Sequence, residues 1–260
     1  MPAAEQTDRD FERHWARHAA GGVNAAKQTE AEHFLAPLLE RIRNGTVRTI
    51  LDAGCGDGVH AAVLVRHAGA GLRCWGVDLA EGAWRLARAR DADGKENRAM
   101  AFCRGNVLAL PFAAGRFDAA FAYGVLAYTG QSERALEEMI RVVRPGGLIG
   151  IWMYPSLRGW KGCLFRAARM VCRGVGPVGA RLLAALVVPL LPVLPVSSGV
   201  NLFNSTWREC REVVEVNLLP PVLDFYREDE VRAWFERRGL ERIADDPERP
   251  ITLWARVPAG

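Results

Sequence analysis

The chain has 260 residues, half of them hydrophobic, with ordinary glycine and proline contents. That excludes collagen-like and wholly disordered chains and suits one α/β domain with an insertion or two small lobes. The formal net charge of +4 is too small to imply nucleic-acid binding by itself.

Residues 1–30 are polar with scattered aromatics and read as a loose arm with a short helix; Phe11 and Trp15 either fold over a ligand as a lid or pack on the sheet, and packing is favoured. From Thr29 to Arg43, Phe34, Leu35, Leu38, Leu39 and Ile42 recur at helical spacing, and Asn44-Gly45 ends that helix. Val47–Ala53 is an apolar run between turn residues, hence a buried first strand. A glycine cluster follows, then a helix over His60–Ala68, a strand over Leu72–Val77 closed by Asp78, and a helix over Ala80–Arg90. Met100–Arg104 and Phe117–Tyr123 form the third and fourth strands, and Glu133–Val143 is an amphipathic helix. The turn Arg144-Pro-Gly-Gly147 leads into a fifth strand, Leu148–Tyr154. Strands alternating with helices mean a parallel sheet covered on both faces, with ligands at the carboxyl ends of the strands.

After Pro155 the alternation breaks. Residues 156–200 hold six basic side chains (Arg158, Lys161, Arg166, Arg169, Arg173, Arg181) and no acidic one, on one or two apolar helical segments broken near Gly174–Gly179 and at the prolines beyond. Three readings are open: a substrate lid, which is preferred, a plain helical cap, or peripheral membrane contact through an apolar face with a basic flank. A helix over Glu228–Arg238, stopped by Gly239, precedes two short strands, Leu240–Ala244 and Ile251–Val257, which form a hairpin across Pro247 and Pro250. The chain thus divides into an N-terminal helical arm (1–45), a core (46–155), a helical insertion (156–226) and a C-terminal helix and hairpin completing the sheet (227–260).

The six cysteines form no C-x-x-C pair or zinc-like spacing, which suits a reducing compartment and no metal. The polar first residues lack a signal-peptide core, and the longest apolar run, Leu182–Val196, is interrupted by Pro189, Pro192 and Pro195. A cytoplasmic protein is expected.

A strand, a glycine-rich turn and a helix N-terminus make a cradle for a polar ligand. A dinucleotide fingerprint reads G-x-G-x-x-G, whereas Gly54, Gly56 and Gly58 read G-x-G-x-G with Val59 following. Asp52 at the strand end suits a cationic amino-acid portion and would repel a pyrophosphate. Asp78, ending the next strand, is placed to accept hydrogen bonds from ribose hydroxyls.

Leu51-Asp-Ala-Gly-Cys-Gly-Asp-Gly58 resembles motif I of the class I S-adenosylmethionine-dependent methyltransferases. Gly76-Val-Asp-Leu79, Gly105–Phe112, Phe117–Leu126 and Arg144–Gly147 resemble the motifs that follow it in family order, so the resemblance covers about residues 47–155. It implies a Rossmann-like seven-stranded sheet with the last strand antiparallel, and S-adenosylmethionine as cofactor with S-adenosylhomocysteine as product. Carried over by position, Asp52, Gly54, Cys55 and Gly56 would line the methionine part. Asp78 would bind the ribose, Leu79 and Val107 would border the adenine, and Asn106 would hydrogen-bond it. Tyr123 and Gly124 would sit beneath the sulfonium.

Two departures stand out. Asn106 replaces the family's usual Asp, keeping the acceptor but not the charge. Relatives often read Gly-Val-Leu-His-His where this chain reads Gly124-Val-Leu-Ala-Tyr128, so no role of those histidines is inherited. No general base stands out; His60, Tyr128 and Tyr154 are the weak candidates, and O-, N- and C-methylation stay open. The reading is a methyltransferase for a hydrophobic small molecule, natural-product or lipid-like. The alternatives are a nicotinamide-dependent oxidoreductase, disfavoured by glycine spacing, and a non-catalytic cofactor-binding or membrane-associated module. A nucleic-acid partner is not expected, because the Asn/Asp-Pro-Pro-Tyr/Phe signature is missing.

Overall fold

The computed structural model describes residues 3–16, 25–68, 71–93, 99–157, 159–187, 216–246, 249 and 251–259. Its seven-stranded sheet has the order β3-β2-β1-β4-β5-β7-β6. The strands are β1 (Thr49–Ala53), β2 (Arg73–Asp78), β3 (Met100–Arg104), β4 (Phe117–Tyr123), β5 (Val143–Trp152), β6 (Glu241–Asp245) and β7 (Thr252–Arg256). The pairings from β3 through β5 are parallel, and β7 runs antiparallel between β5 and β6. This is the Rossmann-like sheet that the motif order implied.

Strand parity divides the buried side chains between two cores. In β1, Ile50 joins the core beneath α2 (Ala25–Arg43) and α3 (Val59–His67), while Leu51 joins the core beneath α5 (Ser132–Val142) and α7 (Glu228–Arg237). Phe34, Leu35 and Leu38 of α2 meet Phe121 and Trp254 on the first face; Leu136, Met139, Val231 and Phe235 fill the second. Helix α4 (Glu81–Asp93) connects β2 to β3. Topology places the strand order reversal at β1 and β4, where α/β sheets open a crevice at the carboxyl ends.

Several expectations need correction. The first residues are not a loose arm: α1 spans Ala3–Ala16 and packs on α4. Within it even the polar His14 is buried, at 7% exposure, because α1 lies over the crevice. The Arg144–Gly147 bend does not precede β5 but lies inside it. Phe117 pairs with Val143 and Ala119 with Leu148, so a bulge absorbs the extra residues and pairing on both sides carries the strand through. The strand also stops at Trp152, leaving Tyr154 in the connection that follows. The expected glycine break does occur: in α6 (Gly159–Val187) the backbone leaves helical geometry at Gly176 (φ 70, ψ 179), where two helical segments meet in a kink. Pro189, Pro192, Pro195, Pro247, Pro250 and Cys210 lie outside the described residues.

Candidate functional site

Gly54–Gly58 turn the chain from β1 into α3 beside the end of β2. The N–H groups of Gly54 and Cys55 both donate to Val77 O, at 2.7 and 3.0 Å, pinning the turn to the neighbouring strand. Gly54 and Gly56 have φ of +85 and +49, left-handed backbone that disfavours a side chain. A Cβ on Gly54 would lie 2.3 Å from Val125 Cγ2, and one on Gly56 would lie 2.9 Å from the Trp15 ring. The turn is therefore a backbone cradle roofed by the indole of α1.

Acidic groups surround this cradle. Asp52 is 1% exposed, and its Oδ2 has no hydrogen-bond partner. Burial, reinforced by Asp78 and Asp57, holds its carboxyl well above the usual carboxylate range. Asp78 accepts from Gly56 N through Oδ2 and from Ala80 N through Oδ1, each at 2.9 Å. Burial pushes its pKa up to about 6; those two N–H groups pull it back, and Glu12 of α1 raises it again. Glu12 itself accepts from Glu81 N (2.7 Å) and Gly82 N (3.2 Å), at the N-terminus of α4, where the helix dipole favours an anion. The charges that act on Asp52 and Asp78 are all acidic. Such a site attracts an ammonium or sulfonium and repels a pyrophosphate.

Beside the cradle, the ends of β4 and β5 carry an aromatic wall. Tyr123 stacks on Trp152 (4.8 Å, 17° between planes), and Trp152 leans on Tyr154 (4.7 Å, 60°). Tyr154 meets Tyr128 and Phe225 edge-on at 5.6 and 6.1 Å. Phe11 of α1 packs edge-on against Tyr128 at 4.8 Å, and Phe165 of α6 against Phe225 at 5.3 Å. The wall thus spans from the N-terminal helix to the insertion. The Tyr128 hydroxyl lies 3.1 Å from that of Tyr154 and 3.0 Å from Val216 O. A hydroxyl has one proton, so Tyr128 donating to the carbonyl leaves Tyr154 to donate to Tyr128. Burial raises both phenols above their ordinary pKa, so neither is ionised at neutral pH.

The structure gathers Asp52, Gly54, Cys55, Gly56, Asp78 and Leu79 at adjoining strand ends, with Val107 buried nearby in the following turn. Cys55 is buried, and burial raises its thiol pKa. Leu79 O accepts from Arg104 Nε at 2.9 Å. Asn106 is exposed, and its Oδ1 accepts from Leu108 N at 2.9 Å, so its side-chain carbonyl is engaged within its own turn. Gly124 N donates to Trp152 O at 3.0 Å, tying the turn after β4 to β5.

Tyr123 and His60 stand on the α2 side. The Tyr123 hydroxyl donates to Glu30 Oε1 at 2.6 Å, and Arg249 Nη1 reaches both that oxygen and the Tyr123 hydroxyl at 2.9 Å. His60 packs among Phe34, Phe121 and Tyr123, with Nε2 buried and without a partner. Burial lowers its pKa to about 4, leaving the imidazole neutral and a poor proton acceptor at neutral pH. Sequence reasoning missed Glu12 and Trp152. The i, i+4 pairing of Phe11 with Trp15, and of Glu12 one position on, was the available signal for an ordered, crevice-facing helix.

Residues 50–147 match a family model described as a methyltransferase domain. The chain is 32% identical over 121 residues to Methyltransferase GfsG of Streptomyces halstedii, covering 46% of this chain and 42% of that one. It is 28% identical over 141 residues to a sterol 24-C-methyltransferase of Schizosaccharomyces pombe, covering 54% and 35% respectively. The match spans less than half the length of these curated relatives. Among solved structures, the [4+2]-cyclase SpnF aligns with a TM-score of 0.58 at 16% identity, covering 94% of this chain and 86% of that one. The magnesium protoporphyrin IX methyltransferase of Synechocystis PCC 6803, solved with bound SAH, aligns with a TM-score of 0.55 at 14% identity, covering 96% and 94%. At such identities the likeness is one of fold, and function has to be argued from the site.

Proposed function

We propose that this chain, a member of the class I S-adenosylmethionine-dependent methyltransferases, holds that cofactor on the Gly54–Gly58 turn and methylates a hydrophobic small molecule lying along the aromatic wall. One observation carries the reading. A buried carboxylate oxygen of Asp52 has no partner, at a bare glycine turn where the acting charges are all acidic. A cationic ligand satisfies that oxygen; a dinucleotide does not.

S-adenosylmethionine, when bound, supplies a methyl group already activated by its sulfonium. In this reading Asp52 accepts the ammonium of the amino-acid portion, and Gly54, Cys55 and Gly56 allow close approach of the backbone. Asp78, at the end of β2, would accept the ribose hydroxyls through the lone pairs its oxygens keep beyond the Gly56 and Ala80 N–H bonds. Leu79, Asn106 and Val107 border the adenine, and Gly124 lets the Trp152 ring close in on the end of β4. Helix α1 excludes water, with Trp15 over Gly56 and Phe11 against Tyr128. The Tyr128 and Tyr154 hydroxyls orient the acceptor as un-ionised hydrogen-bonding groups, so alignment rather than strong base catalysis is this chain's contribution. The aromatic wall supports a hydrophobic acceptor, as does similarity to a sterol methyltransferase.

A second reading, a cofactor-binding protein that transfers no methyl group, is favoured by the fold it shares with a cyclase and by the neutral tyrosines at the wall. Incubation with S-adenosyl-[methyl-14C]methionine and a panel of apolar acceptors distinguishes the two. Radiolabel entering the organic phase in step with S-adenosylhomocysteine supports transfer, with Tyr128→Phe raising KM more than it lowers kcat. Cofactor binding without transfer to any acceptor favours the second reading.

A further inference from the structure

Helix α6 is amphipathic in the reverse of the usual sense. Its inner side is tied to the domain: Phe165 packs on Phe225, Cys172 and Ala180 are buried, and Arg169 donates to the carbonyls of Asn217 and Pro220, the latter at 2.7 Å. Its outer side is apolar. Among the described residues every large hydrophobic side chain that is exposed belongs to this helix: Trp160 (59%), Leu164 (48%), Met170 (72%), Val171 (48%), Val175 (49%), Val178 (69%) and Leu182 (64%). Up to the interruption at Gly176, Trp160, Leu164, Met170, Val171 and Val175 fall within an arc of about 140° at 3.6 residues per turn, and the exposed Cys163, Ala167 and Gly174 lie in the same arc. A helix on a water-facing surface normally turns its charges outward, and a contiguous apolar surface of this kind marks an interaction site.

The charge beside the arc identifies the partner. Arg166 and Arg173 are exposed along one edge of it and, with Arg169 and Met170, line a groove there. No acidic residue occurs anywhere in 156–200. An apolar face with a cationic margin matches an anionic lipid surface, where side chains such as Trp160 enter the headgroup boundary and arginines reach the phosphates. A second copy of the chain, docked face to face about a two-fold axis, would bring the same arginine edge into its own neighbourhood, which like charge disfavours. No helix among the described residues is long and apolar enough to cross a membrane, so the contact is peripheral.

We propose that α6 docks this protein on anionic lipid membranes, with its outer face in the interface and Arg166 and Arg173 at the headgroups. The inference is independent of methyl transfer. The test is flotation of the full chain with vesicles of phosphatidylcholine alone and with one-third phosphatidylglycerol, at low and high salt. Two variants accompany it, Met170→Ser/Val171→Ser/Val175→Ser and Arg166→Glu/Arg173→Glu, each checked for folding by circular dichroism and for oligomeric state by light scattering. Wild type is expected to bind the anionic vesicles at least about tenfold more tightly than the neutral ones, with the preference shrinking in high salt. The serine variant loses binding to both vesicles, and the glutamate variant loses the anionic preference. Failure of wild type to float with anionic vesicles overturns the proposal. So does a folded serine variant that binds as wild type does. A wild-type dimer that the serine variant converts to monomer, without vesicle binding, would instead assign the face to a second copy.

Discussion

Replacing Asp52 by Asn separates stability from ligand binding in opposite directions. In the free protein the Asp52 carboxyl is buried with an unpartnered oxygen beside Asp78 and Asp57, so its ionised form is disfavoured. A buried unsatisfied group of this kind costs about 1–3 kcal/mol, more when charged. The amide removes the charge and keeps the shape, and the variant should gain about 1–3 kcal/mol of stability, with about 2–4 °C in Tm for each kcal/mol in a chain of this size. The sign with pH follows from linkage. A carboxyl whose folded pKa is raised binds more protons in the native state, so stability falls as pH climbs from the unfolded value of about 3.9 toward the folded value. The gain of the Asn variant is therefore small near pH 4 to 5 and grows toward neutral pH. In the same variant, loss of a charge-assisted contact worth about 1.5–3 kcal/mol should weaken S-adenosylmethionine by about tenfold to a hundredfold. Thermal melts across pH and calorimetric titration read the two effects. A variant less stable than wild type at neutral pH, or one that binds the cofactor equally well, refutes the reasoning.

With a folded pKa near 6, Asp78 should make cofactor affinity fall about tenfold between pH 7 and pH 5, since only the ionised fraction accepts from the ribose; titrations with Asp78→Asn should lack that step. Gly56→Ala, at φ +49 and with its Cβ 2.9 Å from Trp15, should cost about 1–2 kcal/mol and alter the near-ultraviolet circular dichroism of the displaced indole; an unchanged spectrum would mean that Trp15 does not rest on this turn. Tyr123→Phe should lower stability by about 1 kcal/mol, because Glu30 and Arg249 keep each other at 2.9 Å, and should leave cofactor affinity within about twofold. A collapse of affinity there would return Tyr123 to the cofactor pocket.

The strands were legible where local chemistry and tertiary packing agree. β3 and β4 begin and end where the apolar runs Met100–Arg104 and Phe117–Tyr123 do; β4 is paired on both edges and β3, at the edge of the sheet, on one. The glycine turn was legible because its backbone angles leave few alternatives to glycine. Helix α1 was not, because its buried side includes Thr7 and His14, polar residues whose burial depends on distant partners; Thr7 Oγ1 accepts from Val222 N at 3.1 Å. The Arg144-Pro-Gly-Gly147 bend reads as a turn from local rules; it joins the strand only because β4 pairs with Val143 before it and Leu148 after it and because Gly146 N and Gly147 O bond to the backbone of Val257. The side taken by Tyr123 was available from parity: it shares a face with Ala119 and Phe121, opposite Ala120 and Ala122. The aromatic wall was hidden for another reason. Trp152 and Tyr154 meet Tyr123 and Tyr128 only once the register of β4 against β5 is known.

Isothermal titration of the full chain with S-adenosylmethionine and with S-adenosylhomocysteine, with NADH as the control, tests the cofactor assignment most directly. Micromolar binding of both sulfur ligands, lost in Asp78→Ala and not matched by NADH, is the predicted result. No binding of either by a folded wild-type chain, or tighter binding of NADH, would contradict it.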